Sequence, residues 1–246
     1  MNKARLIKST DYGIEKHGYN SAVTTTETVW TSGSVFPWAS VGTNAATTIV
    51  SGDAADAAAG TGLRTVQVEG LVNTTINGRT GGQIVKETAT LNGTTAVTLT
   101  NEFSFVYLIT GLTAGSGGKN AGAISVKHGA TTIAHILAGA NKSEMAVMIV
   151  PSFTSEGAVI HGAWLTGGDA RLLGDLTDIA QISILTASDS TFGVCKRGSI
   201  VTSGPLCCDS RVPPYLGHGY KIEVQAAPAA GSLAIEAGFG LIYDVG

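Results

Sequence analysis

Three groups of side chains in this sequence are of types that could do chemistry. Cys195, Cys207 and Cys208, with His218, are four groups of the kind that hold zinc. Asp169, Asp175 and Asp178 could supply the paired carboxylates of glycoside cleavage. Trp30, Trp38 and Trp164 could form a stacking platform for sugar rings. Each group also has a plainer explanation. Zinc knuckles space their cysteines by a few residues, whereas Cys207 and Cys208 are adjacent, so small buried thiols at a loop base are expected. The three aspartates fall in a turn-rich stretch, where solvated acids are usual. Three tryptophans in 246 residues are accounted for by core or interface anchoring. His17, His128, His135, His161 and His218 are scattered; His128 and His135 flank one hairpin and could approach each other, but a surface or pairing role is expected. Phosphate-loop, dinucleotide, nucleophile-elbow and H-E-x-x-H motifs are absent. The expectation is therefore no catalytic residue, no cofactor and no metal ligand. The loops at 166–178 and 202–219 are where distant residues could still converge.

Composition bounds the function classes. Charged residues make up 13% of the chain, about half the usual fraction for a soluble protein. Glycine, alanine and threonine number 33, 31 and 30. Fifteen Lys and Arg against 18 Asp and Glu give a net charge of −3, without a basic block, which argues against nucleic acid as a partner. The longest uncharged stretch, 28–52, is interrupted by Ser, Thr, Asn, Gly and Pro, so no membrane helix is expected. Met1–Asp11 has no apolar run behind its lysines, which predicts no secretory signal. An odd number of cysteines predicts no disulfide framework and synthesis in a reducing cytoplasm. A surface this poor in charge suits contact with other protein.

The elements that must position these groups read as strands. Leu63–Glu69 alternates apolar and polar residues, the mark of a half-buried strand. Further strands are expected at 21–30, 83–91, 94–100, 103–110, 123–127, 131–137, 145–150, 158–165, 178–186 and 192–201. A terminal pair is expected at 220–226 and 232–243. Asn92-Gly93 predicts a hairpin joining 83–91 to 94–100. Residues 72–82 read as turn-rich, and 53–62 as an Ala- and Gly-rich turn. The expected fold is all-β, an antiparallel β-sandwich or jelly-roll-like domain spanning 46–246, with a subdivision near 115–122. Residues 1–45 read as an extended N-terminal arm. In it Trp30, Phe36 and Trp38 are the candidate interface anchors, the alternative being that they cap the sandwich from their own chain.

Several segments resemble structural proteins of tailed bacteriophages. Asp56-Ala-Ala-Ala-Gly-Thr-Gly-Leu-Arg-Thr-Val-Gln-Val-Glu-Gly-Leu71 is similar to their A-A-G-T-G-x-R-T-V strand. Leu91-Asn-Gly-Thr-Thr-Ala-Val-Thr-Leu-Thr100 is similar to their T-L-N-G-T turn, and an A-G-S-G loop follows an apolar strand in both. Lys16-His-Gly-Tyr-Asn20 and Thr28-Val-Trp30 resemble their N-termini. The likeness covers about residues 15–125, and its motifs are turn and strand signatures. Val72-Asn73 departs from it, standing where an aspartate is usual. The resemblance implies a virion protein made in the host cytoplasm: a capsid-associated minor, cement or decoration subunit. Its expected partners are itself, as a homotrimer, and other virion proteins such as the major capsid protein. A tail or fibre component and a carbohydrate-binding recognition module are the alternatives.

Overall fold

The computed structural model describes residues 13–173, 180–188, 192–200, 203–206 and 215–245. Strand accounts for 61% of the structure. Among the described residues there is no α-helix; a single 3-10 turn covers Trp38–Ser40. The all-β expectation therefore holds.

The chain opens with β1 (Gly13–Val23) and β2 (Glu27–Thr28). The middle supplies β3 (Thr47–Ser51), β4 (Leu63–Ile76), β5 (Arg79–Thr90), β6 (Val97–Thr98), β7 (Phe105–Ala114), β8 (Ile124–His128) and β9 (Thr131–Ile136). The remainder supplies β10 (Val147–Ile149), β11 (Ile160–Leu173), β12 (Ala180–Ala187), β13 (Gly193–Ile200), β14 (Ser203–Leu206), β15 (Tyr215–Gly217), β16 (Lys221–Pro228) and β17 (Leu233–Val245).

Both ends of the chain build the same two sheets. One five-stranded sheet runs β1-β17-β11-β14, with β15 also on β11; the other runs β10-β16-β12-β13, with β2 on β16. The middle forms a four-stranded sheet, β6-β3-β8-β9, and a three-stranded sheet, β5-β4-β7. Pairings between these strands are antiparallel. Inward residues of all four sheets join one apolar cluster, including Ile49, Val68, Ile109, Ile133, Leu165, Ile184, Val224 and Ile235. Burying each such side chain stabilises the fold by about 1.5–3 kcal/mol.

Several expectations change. Residues 13–45 are not an arm. β1 pairs β17 from Gly13↔Ile242 to Val23↔Leu233, and β2 pairs β16. Boundaries at 45 and near 115–122 accordingly do not separate a first unit from a second: residues on either side of 46–144 lie in the same sheets. β16 and β17, expected to pair, lie in different sheets. The long hairpin is β4–β5, turning at Asn77-Gly78, where φ is +50° and +77°. Two consecutive positive φ values match the twist of a two-residue hairpin turn. Asn92-Gly93 turns the chain as well, but β6 beyond it pairs β3. A turn dipeptide dictates local backbone direction; it does not choose the partner of the strand that follows.

Candidate functional site

The three aromatic residues expected to face a partner face their own chain. Trp30 and Phe36 are each 2% exposed, and Trp38 is half-buried. Phe36 meets Trp30 edge-on at 5.1 Å and Trp38 at 4.8 Å; Trp38 stacks on Phe105 of β7 at 6.0 Å and lies 5.2 Å from Phe192. The Trp38 indole N–H donates to the buried Glu223 carboxylate at 2.9 Å, and Lys221 Nζ sits over its ring. This ladder ties the N-terminal segment to the middle sheets and to β16. The anchoring reading is thus corrected to the self-capping one. The apolar area of Trp30 and Phe36 is already spent in the core.

The other candidates are not gathered into a catalytic centre. Asp175, Asp178, Cys207 and Cys208 lie outside the described residues. Cys195 is half-buried against the core, and His218 is exposed. Asp169 faces His17 at 3.8 Å, across Gly238, and His17 also lies 3.7 Å from Glu15. Both members of the Asp169 pair are more than half exposed, where such contacts contribute little. The β8–β9 register places His135 opposite Ser125, so His128 and His135 do not face each other. His128 instead donates its Nδ1–H to the Ser40 carbonyl at 2.7 Å. Trp164 lies apart from Trp30 and Trp38, 4.8 Å from Tyr215 on the first sheet. Among the described residues no three His, Cys, Asp or Glu side chains are grouped to hold a metal ion.

Two constellations escaped the sequence reading. The first centres on Asp56, which is fully buried. Its carboxylate accepts from Ser51 Oγ at 2.6 Å and from the backbone N–H groups of Leu63 (2.8 Å), Ala121 (2.8 Å) and Gly122 (2.9 Å). Burial raises its pKa, but these four donors more than offset that and hold it below the usual carboxylate value. Gly93 N–H donates to the Asp56 carbonyl, and Gly115 and Gly117 donate to Gly62 and Thr61. A side chain at Gly62 would collide with the Asp56 carboxylate, and one at Gly115 with the Gly60 carbonyl. Asn73, the position departing from the phage pattern, exchanges hydrogen bonds with Asn44.

The second is a cleft of about 220 Å³ where β1 and β17 meet β4, β5 and β7. Strand alternation turns Lys16 inward, in phase with Gly18 and Asn20. Its Nζ donates to the Tyr107 carbonyl at 2.5 Å and lies 5.9 Å from that ring. Glu69, Lys142 and Tyr243 also line the cleft, with Ile84, Leu108 and Met148 as apolar wall. Burial pulls the Lys16 pKa down to about 8; Lys142 adds to this and Glu69 opposes it. Glu69 is bound to Lys86 at 3.1 Å. Tyr243 is 2% exposed, and its hydroxyl has no hydrogen-bond partner among the described residues.

The depressed lysine couples folding to alkaline pH. A basic group whose folded pKa lies below its unfolded one binds fewer protons when folded, so its penalty is complete below the folded value and fades as pH rises. Stability is expected to climb between pH 8 and 10.5, by up to about 3 kcal/mol from this group. Lys16→Met is expected to flatten that rise in urea unfolding measured across the window. An unchanged rise would assign it to other groups.

No protein-family model matches the chain, and no curated protein matches it.

Proposed function

We propose that the protein is a structural virion subunit of a tailed phage, capsid-associated, of the minor, cement or decoration kind, acting by protein–protein assembly. One observation carries the reading. Three of the segments behind the phage resemblance, 56–71, 91–100 and the A-G-S-G loop at 114–117, meet at the loop of the buried Asp56, where Gly93 donates to the Asp56 carbonyl and Gly115 and Gly117 donate to Gly62 and Thr61. The shared signature is then a structural knot, which suits a family related by assembly rather than by catalysis. The buried acids Glu27, Asp56 and Glu223 are likewise occupied by internal hydrogen bonds. A charge-poor surface suits packing in a homotrimer or shell against a major capsid protein.

The Trp164–Tyr215 pair, in which Tyr215 is exposed and Trp164 half-buried, favours a second reading, a carbohydrate-binding recognition module, because an exposed ring backed by a second aromatic presents a stacking face to sugars. Gold-labelled antibody on particles of the parent phage separates these. Label over heads, at a copy number matching shell symmetry, is the expected result. Label on fibres together with host-glycan binding would replace the capsid reading, and unlabelled particles would overturn both.

A further inference from the structure

Lys16 is not needed to complete a buried ion pair: among the described residues its one hydrogen bond goes to a backbone carbonyl. That leaves a second N–H and, in the neutral amine, a lone pair for a ligand. The cleft around it is built rather than incidental. Lys142 is close enough to affect its charge, Tyr243 lines the cleft and has a buried hydroxyl with no hydrogen-bond partner among the described residues, and Ile84, Leu108 and Met148 keep one wall apolar. A desolvated lysine beside a second cation is the arrangement that activates an amine for attack on carbonyl carbon. At about 220 Å³ the cleft is smaller than a drug-sized pocket, which restricts occupants to small molecules.

We propose that Lys16 is the nucleophile of a covalent site that captures small aldehydes as an imine. The nitrogen lone pair attacks the carbonyl carbon; a C–N bond forms and the C=O π pair moves to oxygen. One nitrogen proton passes to that oxygen, giving the carbinolamine. The C–O bond then breaks as C=N forms, and the second nitrogen proton leaves with the oxygen as water. No oxidant, reductant or metal is consumed. The Tyr243 hydroxyl is the positioning group for the carbonyl oxygen. Charged groups reach the cleft from every side: Glu15 and His17 from β1, Glu69 from β4, and Lys142 and Glu144 from the segment before β10.

The test is reductive trapping on the full chain. The protein is incubated with propanal and cyanoborohydride near neutral pH, and alkylated lysines are mapped by mass spectrometry over time. Lys16 is expected to react about tenfold faster than the typical rate of the other eight lysines, because its larger neutral fraction outweighs its lower basicity. Lys16→Arg should abolish the fast site. Tyr243→Phe should slow it several-fold while leaving circular dichroism unchanged, and Lys142→Gln should move its pH midpoint upward. Trapping spread evenly over all lysines of the folded wild type would overturn the proposal, whether or not Lys16→Arg folds. So would a fast site indifferent to both Tyr243→Phe and Lys142→Gln.

Discussion

Asp56→Asn is expected to destabilise the protein by about 4 kcal/mol, read as a lowered urea midpoint at neutral pH. The amide keeps one acceptor oxygen and turns an NH2 toward two of the four groups that now donate to the carboxylate. Each buried donor left without an acceptor costs about 1–3 kcal/mol. A loss of that size is a large part of the ~5–15 kcal/mol that holds a domain together. Lengthening to Glu has no room, because Gly62 packs directly against the carboxylate. The acid limb reports on the same group. A carboxylate with a depressed folded pKa contributes stability that is present above its unfolded value and lost as pH falls through the folded one. Acid unfolding of Asp56→Asn should accordingly be shallower than that of the wild type. A variant with wild-type midpoint and acid limb would show that the Asp56 bonds contribute nothing net.

Deleting residues 1–45 is expected to abolish cooperative folding. The deletion removes the strand that covers β17 along Gly13↔Ile242 to Val23↔Leu233. It also removes Val23, Val29, Trp30, Phe36 and Val41 from the core. At about 1.5–3 kcal/mol per side chain, those five alone approach the whole stability of a domain. Gly18 presses so closely on Val29 and Ala146 that no other side chain fits there, a sign that this strand is packed rather than attached. Near-ultraviolet circular dichroism of the truncated chain should lose its aromatic signal. A sharp thermal transition surviving the truncation would restore the arm.

Asp56 and Lys16 explain why the fold was legible and the site was not. Both stand inside segments that the sequence reading had singled out, Asp56 at the head of the A-A-G-T-G stretch and Lys16 at the head of Lys16-His-Gly-Tyr-Asn20. Neither drew attention as a chemical group, because two of the four donors to Asp56 and the acceptor for Lys16 are remote. Asp56 is bound by residues 65 and 66 positions downstream, and Lys16 by one 91 positions downstream. A usable signal existed for Lys16. Once β1 is taken as a strand, the alternation that buries Gly18 and Asn20 also turns Lys16 inward. For Tyr243 nothing local distinguishes a tyrosine over a cavity from one in a core.

The sequence by itself determined that this chain is all-β. Period-two alternation and turn residues act within a few positions, and that range suffices to specify strands and the bends between them. Tertiary structure alone decided which strands are neighbours. β16 and β17 are joined by a turn yet enter different sheets, while β1 crosses the length of the chain to lie on β17. Pairing is chosen by burying faces from distant segments at once, and that is also why Trp30 and Phe36 became core. Burial depends on what the rest of the chain brings to the same place, a quantity that no short window of residues contains.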